Sequence, residues 1–285
     1  METRKTLLAI AAAALLAVTF ACKGTKNAPP DEPVEETADT MTTEYEELAD
    51  SVVELIAETP MPKAADMLFD DFFFNFAANN KLQLDRIDFP LKVKTESGEE
   101  QWSKAQWKPE HFFMDQDYYT LIFDTDRQAN AVRDTAIAKT VVEKIFLDTD
   151  IIERYIFDRR AGLWKLRAIE YQHIEESDNA SFLQFYKKFS TDSAFQAAHL
   201  KEPVMFEGPD PDDDFNTMEG VVTIDTWPAF APEMPTGKIY NIVYGDEKPN
   251  TNQRIFIIRG IANGLEQELR FHKEGGRWLL TKLTQ

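Results

Sequence analysis

The chain has 285 residues, 43% of them apolar and 12% aromatic, and its one cysteine excludes an internal disulfide. A formal net charge of −19 at pH 7, with no basic residue between Lys26 and Lys63, leaves nucleic acid without the basic footprint that phosphate binding needs. The length suffices for two lobes of ordinary domain size, with 21 phenylalanines to fill their cores.

In chain order, Arg4 and Lys5 precede an apolar run from Leu7 to Ala21, and Cys22 follows it directly. The run reads as a secretion signal over residues 1–21. It is shorter than the roughly 20 residues that a helix needs to cross a bilayer. The placement of Cys22 resembles the lipobox of bacterial lipoproteins, in which the cysteine becomes the acylated first residue of the mature chain. Ala21 fits the small residue at the cleavage site, while Thr19 and Phe20 depart from the usual pattern. The resemblance implies a lipid, such as palmitate, on Cys22 and attachment to the outer membrane, facing the periplasm.

Residues 22–44 are acidic and polar, which predicts a flexible tether. From Tyr45 to Glu58 the apolar positions Tyr45, Leu48, Val52, Leu55 and Ile56 recur at helical spacing, so a helix opens the first lobe. After Pro60 and Pro62 comes a second helix, over about 64–78, whose stripe is Leu68, Phe69, Phe72, Phe73 and Phe76. A short helix to about Arg86, capped by Asn79 or Asn80, runs into Pro90. Beyond it the β-branched and aromatic stretches Leu91–Thr95, Tyr118–Thr125, Thr140–Asp148, Ile151–Arg159 and Leu163–His173 predict strands.

The pattern then repeats. Phe69, Phe72, Phe73 and Phe76 match Phe182, Phe185, Tyr186 and Phe189 at an offset of 113 (182 − 69). Trp164 and Leu166 match Trp278 and Leu280 at 114 (278 − 164). Strands are predicted over Val204–Glu207, Gly220–Ile224, Lys238–Tyr244, Arg254–Ala262, Leu265–Lys273 and Trp278–Leu283, while residues 102–113 and 208–235 diverge as loops. The chain is therefore a tandem duplication: lobe 1 over residues 45–175, including the helix at 45–58, and lobe 2 over 176–285.

Helices first and antiparallel strands after make an α+β unit with helices on one face of a curved sheet. Each unit resembles the nuclear-transport-factor-2-like, or cystatin-like, fold. The whole chain resembles a family of uncharacterised lipoproteins of Bacteroides-type Gram-negative bacteria, and that resemblance implies no activity.

Candidate chemistry is sparse. Asp117 and Tyr119 share a strand face, a tyrosine–carboxylate pair of the kind that can do acid–base work. Asp210, Asp212, Asp214 and Asn216 have the alternate spacing of a calcium loop, but Phe215 stands where that loop needs glycine and Val221 where it needs glutamate. A solvated loop is the simpler reading. His111, His173, His199 and His272 are isolated from one another, and no cofactor is expected. The phenylalanine stripes are expected to fill their cones rather than line them. The expectation is a non-enzymatic envelope lipoprotein whose two lobes form a pseudo-dimer, either binding a protein partner or small ligand or serving as a scaffold with filled cones. The alternative is an isomerase- or hydrolase-type enzyme with one active cone.

Overall fold

A computed structural model describes residues 60–210, 213–246, 252–261 and 263–285. The signal, Cys22, the tether and the helix expected at 45–58 lie outside the described residues. The described residues belong to one compact unit, Ala38–Gln285.

The phenylalanine-rich helix is α1, Phe69–Ala78, and it ends at Asn79, whose side chain accepts from the backbone N–H of Lys81 and Leu82 to start α2, Asn80–Arg86. Six strands follow: β1 Ile87–Thr95, β2 Gly98–Trp102, β3 Tyr118–Phe123, β4 Lys139–Phe146, β5 Ile151–Arg160 and β6 Leu163–His173, with a short α3, Asp126–Asn130, after β3. The second half repeats the order of the strands and the two leading helices, with α4 Ala180–Phe189, α5 Ser193–Ala198, β7 Leu200–Asp210, β8 Asp213–Val222, β9 Lys238–Tyr244, β10 Gln253–Gly260, β11 Glu266–Glu274 and β12 Arg277–Thr284, but its short helix, α6 Trp227–Phe230, precedes the third strand instead of following it. Asp192 caps α5 by accepting from Phe195 N.

Three features correct the sequence reading. The first strand of each half starts three residues before its proline rather than after it. Pro90 and Pro203 sit inside β1 and β7, each after a cis peptide bond and within a register shift against the partner strand; a bulge is where a strand tolerates the missing N–H. Those strands run parallel to β6 and β12, although all the others pair antiparallel. Residues 213–219, expected as loop, lengthen the strand expected from Gly220 into an arm over 213–222 that pairs with β7.

The sheets are β2-β1-β6-β5-β4-β9 and β3-β10-β11-β12-β7-β8. Each half therefore gives away its third strand: β3 of the first half closes the second sheet, and β9 of the second half closes the first. The boundary at 175/176 divides the sequence but not the sheets. Burial shows why the exchange holds. Every β3 residue from Tyr119 to Phe123 is buried, leaving the strand no solvent face. Tyr119, Leu121 and Phe123 pack in the core around α1 with Tyr240, Ile242 and Tyr244 of β9, while Ile122 and Ile239 point the other way, into the core around α4. Fully burying each such side chain contributes about 1.5–3 kcal/mol.

Inside the cones the phenylalanines do fill space. Phe157 stands edge-on to Phe69, Phe73 and Phe76, and Phe271 stands edge-on to Phe185 and Phe189. A second matched device lies in the segments expected to diverge: Trp107 Nε1 donates to Gln83 Oε1 (3.1 Å), and Trp227 Nε1 donates to Gln196 Oε1 (3.0 Å).

Candidate functional site

Lys144 on β4 and Glu153 on β5 are directly opposite, as are Val142 and Tyr155, so the period of two puts all four on the inner face of the first sheet. Ile169 and Tyr171 extend that face on β6, and the 102–110 loop crosses above it. Together they enclose a cavity of about 390 Å³ at the mouth of the first cone. Its wall is aromatic (Trp102, Trp107, Tyr155, Tyr171), and its charges are Lys108, Glu110, Lys144 and Glu153.

Those charges are fixed by their neighbours. Lys144 Nζ lies 3.1 Å from Glu110 Oε2 and 3.9 Å from Glu153 Oε2. Glu110 is held by its own backbone, which donates to Gln83 Oε1 and accepts from Gln83 Nε2, and its Oε1 accepts from Phe112 N at 3.0 Å. Tyr155 donates its hydroxyl to Glu153 Oε2 at 2.9 Å. Burial, then the charges of Glu153 and Glu110, push the Tyr155 phenol well above the usual tyrosine range. Tyr240 on β9 sits directly across from Lys144 on the same face. It is 1% exposed, and among the described residues its hydroxyl has no hydrogen-bond partner.

Among the described residues the second cone carries different groups at the matched positions. Strand registers match Lys144 with Ile258, Glu153 with Gln267, Tyr155 with Leu269 and Tyr171 with Gln285. Three residues after Trp227, where the first half has Glu110 after Trp107, stands Phe230, which packs on Phe206 at 5.1 Å and accepts from Gln285 Nε2 through its carbonyl. Among the described residues one cone is charged at its mouth, and the matched positions of the other are neutral.

The sequence candidates fall elsewhere. Asp117 is exposed just before β3 and its carbonyl accepts from Ile261 N, whereas Tyr119 is buried and stacked on Phe113 at 4.7 Å. The strand start separates the two environments. The carboxylate near Tyr119 is Asp70 of α1, which accepts from the Tyr244 hydroxyl at 2.5 Å and whose acid is pushed up to about 6, chiefly by burial. The Tyr119 hydroxyl is hydrogen-bonded to Arg259. Asp210 ends β7 opposite Asp213, Asn216 is exposed on β8, Asp214 lies on the same extended strand and Asp212 is outside the described residues. A calcium loop of that spacing turns at its sixth position, here Phe215, whose backbone is part of the strand β8. Among the described residues no group of three or more His, Cys, Asp or Glu side chains is placed to hold a metal ion. Lys144, Glu153 and Tyr155 were missed by the sequence reading. Their signal is the replacement of polar residues by Ile258 and Leu269 at matched inward positions.

The profile of a family described as a domain of unknown function, DUF4348, matches residues 48–285. The chain belongs to that family. The DUF4348 chain is also similar to a solved structure described as an NTF2-like protein from Bacteroides fragilis NCTC 9343, at 37% identity and a TM-score of 0.71, covering 79% of this chain and 98% of that one. No curated protein matches it. The fold is thus NTF2-like, and the family carries no assigned activity.

On the outer face of the first sheet, the DUF4348 chain encloses a second cavity, of about 230 Å³. Glu143 on β4 is 5% exposed; its acid is pushed up by burial, and it accepts from Asn241 Nδ2 at 2.9 Å. Arg154 approaches it at 3.4 Å. Asn241 Oδ1 accepts from Ile122 N at 2.8 Å, so this polar cluster joins the two exchanged strands. At its rim Asp124 pairs with Arg254 at 2.8 Å. These groups bond one another, which makes the cluster a fastening between the halves.

Proposed function

We propose that this DUF4348 chain is a non-enzymatic, lipid-anchored binding protein of the cell envelope, whose first cone takes a small ligand and whose second cone braces it. The observation that carries the ligand reading is the asymmetry of the cones: Lys144, Glu153 and Tyr155 line an open mouth where the second half has Ile258, Gln267 and Leu269. A duplicated fold that needed only mutual packing has no use for charged groups at one mouth and not the other. The anchor is supported by the chain's only cysteine at the end of the Leu7–Ala21 run, with outer-membrane attachment facing the periplasm as its consequence.

Native mass spectrometry of the detergent-extracted chain from its own host tests both parts. The expected denatured mass is that of Cys22–Gln285 plus acyl chains, and the expected native mass exceeds it by a ligand that Lys144→Met releases. An unlipidated chain would refute the anchor. A native mass equal to the denatured mass would refute the open cone.

A further inference from the structure

We infer that the ligand of the first cone is a neutral saccharide. The inference rests on reading that mouth as the binding site and adds the chemical class. Charge is the first constraint. Lys144 is flanked by Glu110 and Glu153 at 3.1 and 3.9 Å, and Lys108 adds a second cation at the rim, so the mouth's own charges balance. An anion or a cation entering there brings a charge with no counter-charge to meet it, which costs desolvation without compensation.

An apolar ligand fails for the opposite reason. It would strip water from Lys144, Glu110 and Glu153 and replace none of their hydrogen bonds. A neutral ligand rich in hydroxyls replaces them, because each hydroxyl gives one proton and accepts at its lone pairs. Carboxylate oxygens and the lysine ammonium are the strong partners for such groups.

The wall selects a ring. Trp102, Trp107 and Tyr171 line the cavity, and an aromatic lining suits the C–H face of a pyranose while its hydroxyls are left for Lys144, Glu110 and Glu153. The volume of about 390 Å³ falls within the range of small-molecule sites.

The test uses the full chain in detergent on an array of neutral and acidic glycans. Hits are then titrated by saturation-transfer NMR alongside glucosamine as a cation, glucuronate as an anion and naphthol as an apolar ring. The expected result is saturable binding of a neutral glycan, with transfer strongest at ring C–H protons. Trp102→Ala and Glu153→Gln should each weaken binding at least tenfold, with the circular dichroism of both variants unchanged. Preference for glucosamine or glucuronate, with the same loss in both variants, would overturn the neutral charge of the ligand, and preference for naphthol would overturn the saccharide, each leaving the cone as the site. Glycan binding indifferent to both variants, or no binding of any probe by the folded chain, would overturn the saccharide and the cone reading together.

Discussion

Thr120 and Tyr240 stand at matched positions of β3 and β9 and touch each other: Thr120 Oγ1 donates to the carbonyl of Tyr240 at 2.6 Å and accepts from its N–H at 2.9 Å. In a two-fold arrangement a residue meets its own counterpart only near the axis. The pseudo-two-fold axis therefore runs between the exchanged strands, and each half is an incomplete fold with its missing strand supplied by the other.

That relationship predicts how the protein comes apart. When residues 60–176 and 177–285 are expressed separately, neither is expected to unfold cooperatively as a monomer, because each sheet lacks its last strand and β3 or β9 would face water with apolar residues on both sides. Co-expressed, they should co-purify as a 1:1 complex. A monomeric, cooperatively folded single half would sink the exchanged-strand account.

Asn241 ties the same strands together, and Asn241→Leu tests how much that tie contributes. The substitution leaves the N–H of Ile122 without its acceptor and removes the donor to buried Glu143. A loss of about 2–4 kcal/mol in urea unfolding is expected, since an unsatisfied buried group costs about 1–3 kcal/mol and a charged one more. A change below about 0.5 kcal/mol would mean that the strands are held by packing alone.

Asp124 and Arg254 form the ion pair at the rim, with side chains 4% and 2% exposed. Arg254 also donates from Nε to Asn179 Oδ1 and packs over the Trp278 ring. Asp124→Ala leaves a buried guanidinium without its carboxylate and is expected to destabilise by about 3–5 kcal/mol, whereas the double variant Asp124→Leu, Arg254→Met should recover most of that. Equal losses in the single and double variants would show that packing, not charge, fixes the rim.

Much of this fold was legible because its cues are local. The Phe69–Phe76 stripe, the Asn79 cap and the Trp164 and Trp278 hairpins each follow from spacing within a few residues. The strand exchange was not legible, since Tyr118–Phe123 pairs with β10 rather than β4 and alternation says which side chains share a face, not which strand lies alongside. The Trp107 and Trp227 match was hidden by unequal loops, their offset being 120 (227 − 107) against 114 at the hairpins. The site was obscured for a related reason: Lys144 follows Glu143 and Arg154 follows Glu153, so each strand carries neighbouring charges on opposite faces, and only the register shows that Lys144 and Glu153 share the inner one.

Asp70 gives the last prediction, a pH dependence of stability. Burial is the main cause that lifts its acid from 3.8 to about 6; Asp71 adds to this, and the Tyr244 hydroxyl and Arg259 oppose it. Between those values the folded state holds the proton that the unfolded state has released, so stability falls as pH rises from about 4 to 6 and levels off above. Two units correspond to at most about 3 kcal/mol, and the partial exposure of Asp70 lowers the expectation to about 1–2 kcal/mol. Asp70→Asn keeps an oxygen for Tyr244 but carries no charge. The variant should match the wild type at pH 4 and exceed it by that amount at pH 7.5, as read by urea unfolding at pH 4, 5.5 and 7.5. Parallel curves for the two proteins across that range would show that Asp70 titrates as an ordinary surface acid.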